Sequence, residues 1–156
     1  MIPKIVHMVF GLSDDFGNKP FHLIHNIAIK SAHNIIKPDK IFLYCKYEPE
    51  NNKYWNEIKS IVEIVKVEPV SEIFGNQIEH CAHKTDILRL EKLIEIGGIY
   101  LDCDTICINS FDNLLNNNFV MGKRRRILNL EDYGMIITRR LIKQNGMNIV
   151  WCYQKN

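Results

Sequence analysis

Short apolar runs alternate with helix-length amphipathic stretches through the first hundred residues, and this alternation restricts the chain to an α/β sheet. The runs "KIVHMVF" (4–10), "KIFLYC" (40–45), "IVEIVKV" (61–67) and "IYLD" (99–102) read as strands, the first of them buried. "IYLD" is continuous and apolar, the pattern of a strand covered on both faces. Between the first two, residues 20–36 place Phe21, Ile24, Ala28 and Ile35 at helical spacing and end before Pro38. "PENNKYWNEIKS" puts Pro49 at a first helical position, and Pro69 stops the third strand. The longest predicted helix covers residues 80–96, with Ile87, Leu90, Leu93 and Ile94 as its apolar side and Gly97 as its stop. Strands separated by helices pair in parallel, so a mostly parallel, doubly covered sheet is expected. After Asp104 the pattern loosens: "TICINS" continues as a strand, "FDNLL" is a helical turn, "NNN" at 116–118 a turn, and "FVMG" and "GMIIT" further strands. With 156 residues and no Pro/Gly/Ser-rich linker, residues 1–156 make a single domain.

Charge excludes one class of partner. The 20 Lys+Arg and 18 Asp+Glu nearly cancel, which argues against a nucleic-acid or membrane-surface protein. The five cysteines are odd in number and contain no C-x-x-C pair, so reduced thiols are expected, and zinc is not. The opening "MIPKIVHMVFG" is too short an apolar run for a leader or a membrane segment, which sets the expected location as cytoplasmic.

The chemistry concentrates in "GGIYLDCDT" (97–105). On a continuing strand Asp102 and Asp104 point to the same side, where their repulsion calls for a solvated loop, a divalent cation or a protonated carboxyl. Cys103 between them points into the sheet. The carboxyl edge of an open α/β sheet is where ligands bind, and both aspartates stand there. Asp86 and Arg89 share one face of the preceding helix, with Thr85 beside them. The pairs His80/His83 and His22/His25 lack a third ligand and are expected as cap and surface residues. "KRRR" (123–126) is expected as a solvated loop.

Asp86, Arg89, Gly97, Gly98, Tyr100, Asp102 and Asp104, with Pro3, Lys4 and His7 ahead of them, resemble the DxD sugar-binding region of glycosyltransferase family 32, which includes yeast initiating mannosyltransferases. The segment is also similar to the glucosylating domains of large clostridial cytotoxins. The resemblance covers residues 1–123 and leaves 124–156 divergent, with a tail shorter than is usual for the family. It implies a GT-A fold, a UDP- or GDP-sugar donor, and Mn²⁺ or Mg²⁺. It further implies transfer of a hexosyl unit, with retention, to a glycan, protein or small-molecule hydroxyl. By the same resemblance Asp102 and Asp104 bind the metal, and these two with Arg89 form the catalytic set. His7, Phe10, Asp86, Arg89, Gly98, Tyr100 and Asp102 are the implied donor contacts, Phe10 standing where the family tends to carry Trp.

Two alternatives stay open. The chain could be a nucleotide-sugar-binding module or inactive transferase, since the tail is short. "YLDCDT" is also similar to the D-x-D-x-T loop of Mg²⁺-dependent haloacid-dehalogenase-type phosphatases, which would make Asp102 a nucleophile with only Glu131 and Asp132 as a downstream acidic pair.

Overall fold

In the computed structural model, residues 1–121 and 135–138 are described. The chain forms β1 (Ile5–Val9), α1 (Leu23–Ser31), β2 (Lys40–Cys45), α2 (Lys53–Ile58) and β3 (Glu63–Lys66). A small hairpin, β4 (Glu72–Ile73) and β5 (Asn76–Gln77), leads into α3 (Cys81–Glu95) and β6 (Gly98–Leu101), and β7 (Phe119–Met121) and β8 (Met135–Thr138) complete the list. The main sheet runs β3-β2-β1-β6-β8-β7. Its first four strands are parallel, whereas β8 is antiparallel to both β6 and β7. This is the mostly parallel α/β sheet that the alternation predicts, in one domain.

The core lies on both faces of the central strands. Val6, Met8, Leu43, Ile99 and Leu101 are buried on one face with Phe21, Ile29, Ile36 and Trp55, while Tyr100 packs with Leu93 and Tyr44 with Leu88 on the other. All four residues of β6 are buried, as a strand covered on both faces must be.

Several local expectations shift. The first helix starts at Leu23 and passes at Ala32–Ile36 into a π-helical turn that ends on left-handed Lys37. The wider i→i+5 turn changes the helix phase. Ala28, Ile29, Ala32 and Ile36 face inward, while Ile24 and Ile35 are 42% and 38% exposed. The second helix is capped by Asn52, whose side-chain oxygen accepts from Tyr54 and Trp55 N–H, so Pro49 lies upstream rather than at its first position. In α3 the buried residues are Leu88, Arg89 and Leu93, with Ile94 at 38% exposure. A guanidinium thus occupies part of the face expected to be apolar. "TICINS" forms no strand; it runs beside α1, where Cys107 N–H donates to the Ser31 hydroxyl (2.8 Å). The β4–β5 hairpin turns at Phe74 and Gly75, both at positive φ. "FDNLL" does hold a single 3-10 turn, Asp112–Leu114, and "FVMG" and "GMIIT" hold strands. The "KRRR" run and Glu131–Asp132 lie outside the described residues, as does most of 124–156.

Candidate functional site

The path from α3 into β6 sets the site's depth. α3 closes with Gly97 at φ 78°, its N–H donating to Leu93 C=O (3.1 Å), and Gly98 follows at φ 117°. A Cβ on Gly98 would stand 2.5 Å from Ile5 C=O and 3.0 Å from His7 Nε2, so only glycine lets β6 settle against β1 here. His7 locks the same corner. Its Nε2–H donates to Gly97 C=O (2.8 Å) and its Nδ1 accepts from the Tyr44 hydroxyl (2.9 Å). Burial pushes the His7 imidazole below its usual range, in keeping with a neutral ring holding two bonds.

At its other end β6 stops at Leu101, and the chain turns, Thr105 N–H donating to Asp102 C=O (2.9 Å). The two aspartates are therefore on a turn, not on a strand as the alternation predicts. Asp102 is largely buried and Asp104 exposed. Cys103 does point inward, its thiol donating to Val9 C=O (3.3 Å), which ties the turn to the end of β1.

Among the described residues Asp102 is the most perturbed carboxyl. Burial raises it from the ordinary carboxylate range to about 7; the Arg89 guanidinium and the Tyr100 hydroxyl pull it back, while Asp104 and Asp86 push it further up. Asp86 is also raised, mainly by burial, against the opposing charge of Arg89. Arg89 pairs with Asp86 one turn earlier on α3 and lies over the Tyr100 ring, 5.3 Å from its centroid. Asp86, Arg89, Asp102, Asp104 and His25 line one open cleft of about 680 Å³, joined by Thr85, Cys103 and the first turn of α3.

Three sequence-predicted contacts lie beneath this cleft rather than on it. His7 and Tyr100 are 0% and 1% exposed, and Gly98 is buried, so they support the site through Gly97, Arg89 and the strand. Phe10 is also outside the cleft lining: its ring stacks on Phe16 (5.7 Å), meets Phe21 edge-on (5.1 Å) and tilts against His25 (5.1 Å). It follows Val9 directly and so stands next to the carboxylate turn. His25 and His83 line the cleft although both were expected as surface residues. His25 comes from α1, some 77 positions from Asp102, and only the β1–β6 pairing brings them together; nothing local in the sequence signals it.

Two carboxylates at a turn offer hard oxygen donors, the type that Mg²⁺ and Mn²⁺ take while keeping water and substrate oxygens as further ligands. Among the described residues no group of three or more His, Cys, Asp or Glu side chains forms an all-protein metal cage. No helix among them is long and apolar enough to cross a membrane.

The comparisons with known proteins agree with this geometry. The chain is 32% identical over 127 residues to glucan organizing enzyme 1 of Cryptococcus neoformans var. grubii serotype A (strain H99), an alignment covering 78% of this chain and 34% of that protein. Its fold is similar to that of the PaToxG glycosyltransferase, with a TM-score of 0.52 at 17% identity, over 88% of this chain and 56% of that one. The chain thus spans about a third of the curated relative's length and little more than half of the solved structure's. Residues 14–120 match the family described as "Glycosyltransferase sugar-binding region containing DXD motif". The match includes Asp86, Arg89 and the whole turn from Gly97 to Thr105 and leaves Pro3, Lys4 and His7 ahead of it. This chain belongs to the DXD-containing glycosyltransferase family.

Proposed function

We propose that the cleft binds a nucleoside-diphosphate sugar together with Mn²⁺ or Mg²⁺ and passes the hexosyl unit to a hydroxyl acceptor. One observation carries the reading. Three carboxylates, Asp86, Asp102 and Asp104, converge on a cleft with one guanidinium, and burial holds Asp102 so reluctant to ionise that its carboxyl titrates near neutrality. A divalent cation held by Asp102 and Asp104 would offset that excess of negative charge, and the donor set fits a hard ion. When bound, such an ion supplies positive charge for the departing nucleoside diphosphate.

The chain's own residues do the rest. Asp104, exposed at the turn, and Asp102 beside it would hold the ion. Arg89, held by Asp86 and by the Tyr100 ring, keeps its guanidinium fixed for donor oxygens, so little order is lost on binding. Phe10, which follows Val9 and stacks on Phe16 beside the cleft, offers an aromatic edge for the nucleobase end of the donor. In the transfer, the acceptor oxygen bonds to the anomeric carbon as the carbon–phosphate-oxygen bond breaks on the same face, and the hydroxyl proton passes to the leaving diphosphate; this gives retention. The curated relative's name refers to glucan, which favours a glycan hydroxyl as acceptor.

A panel of UDP- and GDP-hexoses, incubated with the protein, Mn²⁺ and glycan acceptors, tests this. Release of nucleoside diphosphate from one donor, stopped by EDTA, is expected. Donor binding without turnover would make the chain a binding module, and hydrolysis of a generic phosphate ester that Asp102→Asn abolishes would favour phosphatase chemistry.

A further inference from the structure

His25 is the one cleft side chain contributed by the first turns of α1, and its chemistry is fixed on one side. The His22 backbone N–H donates to His25 Nδ1 (2.9 Å), which therefore carries no proton. In the neutral ring the proton is on Nε2. Phe10 and Phe21 pack together against one side of the ring, each with its centroid 5.1 Å away, which holds its orientation. Nε2 has no hydrogen-bond partner among the described residues, while the ring lines the cleft and feels the charge of Asp104.

We propose that His25 donates a hydrogen bond from Nε2 to a phosphoryl oxygen of the bound nucleoside diphosphate, steadying the group that leaves on sugar transfer. The inference rests on the donor reading above and adds a residue to it. A fixed N–H donor wants an acceptor-only partner, and a phosphoryl oxygen is one, whereas sugar hydroxyls both give and take. The place also fits, because an ion shared by Asp104 and a diphosphate brings phosphoryl oxygens to the corner that His25 faces. Neutrality matters here. A lysine or arginine at this point would repel the same ion, whereas a neutral imidazole supplies the donor without that penalty. It thus stabilises negative charge as it builds on the leaving group.

Two variants separate this role from mere packing. His25→Phe keeps a ring packed against Phe10 and Phe21 and removes the donor; His25→Gln returns an N–H near the Nε2 position. Calorimetry with Mn²⁺ would compare UDP, GDP and inorganic pyrophosphate, with Mn²⁺ alone as reference. His25→Phe is expected to weaken the nucleoside diphosphate bound by the wild type, and pyrophosphate, by about tenfold or more. His25→Gln is expected to recover most of that loss, with Mn²⁺ affinity unchanged in both. Unchanged diphosphate affinity in His25→Phe overturns the proposal, as does an equal loss of affinity for Mn²⁺ alone, which would place His25's action on Asp104. A loss that His25→Gln fails to recover overturns it as well. Wild-type protein that binds no diphosphate with Mn²⁺ would remove the donor reading itself, and the proposal with it.

Discussion

Asp102→Asn is expected to stabilise the protein above pH 7 by about 2–4 kcal/mol while removing metal-dependent donor binding. The folded carboxyl titrates at about 7, against 3.8 for an ordinary aspartate, because burial disfavours its charge. A carboxyl whose folded value is raised contributes stability that is complete below pH 3.8 and is lost as pH rises through 7. Above that point the wild type carries the full cost of a buried charge. The amide of asparagine carries none, and its own desolvation trims the gain from the upper figure. The difference between variant and wild type should therefore open between pH 4 and pH 7 and be largest at pH 8, as read from urea midpoints at each pH. A difference that is constant across this range would show that Asp102 is not the strained carboxyl described here. Saturating Mn²⁺ should close the gap from the wild-type side alone, since binding to the folded state stabilises it.

The opposite sign is expected at Arg89. Arg89→Leu removes the positive charge that opposes the burial of Asp86 and of Asp102, and Arg89 itself is only 6% exposed. Stripping one partner from a buried ion pair typically costs about 3 kcal/mol or more, because the remaining charge stays desolvated. Leucine fills much of the volume over Tyr100, so packing accounts for little of the loss. Both carboxyls should then titrate higher still. At pH 5 they take up protons and the orphaned charge disappears, so the variant's deficit should be clearly smaller at pH 5 than at pH 8 in thermal or urea melts. An equal deficit at the two pH values would assign Arg89 a packing role only.

Much of the frame was legible because it depends on local pattern. The four parallel strands follow from continuous apolar runs, and the end of α3 follows from Gly97. The seven spaced residues of the D-x-x-R helix and D-x-D turn pointed to the family that residues 14–120 match. What escaped depends on where elements stop and which elements meet. Alternation put Asp102 and Asp104 side by side on a strand, but β6 ends at Leu101, and the turn that follows divides the pair into one partly buried and one exposed carboxyl. The π-helical turn at Ala32–Ile36 carries no proline or glycine to mark it. His7 looked like a ligand contact because it sits in a motif; its two hydrogen bonds, to Tyr44 and Gly97, are long-range and show it as the brace under the glycine turn. His25 looked like a surface residue for the converse reason, since its cleft partners come from α3 and from the turn after β6.

The central claim is that the carboxylate turn binds a nucleoside diphosphate through a divalent cation. The most direct measurement is calorimetric titration of the wild type and Asp104→Ala with UDP, GDP and their hexose conjugates, with Mn²⁺ and with EDTA. Asp104 is exposed, so its loss should leave the fold intact. One base should bind the wild type only with Mn²⁺, and Asp104→Ala should lose about 100-fold in that affinity. Equal binding in EDTA, or by Asp104→Ala, would contradict the account.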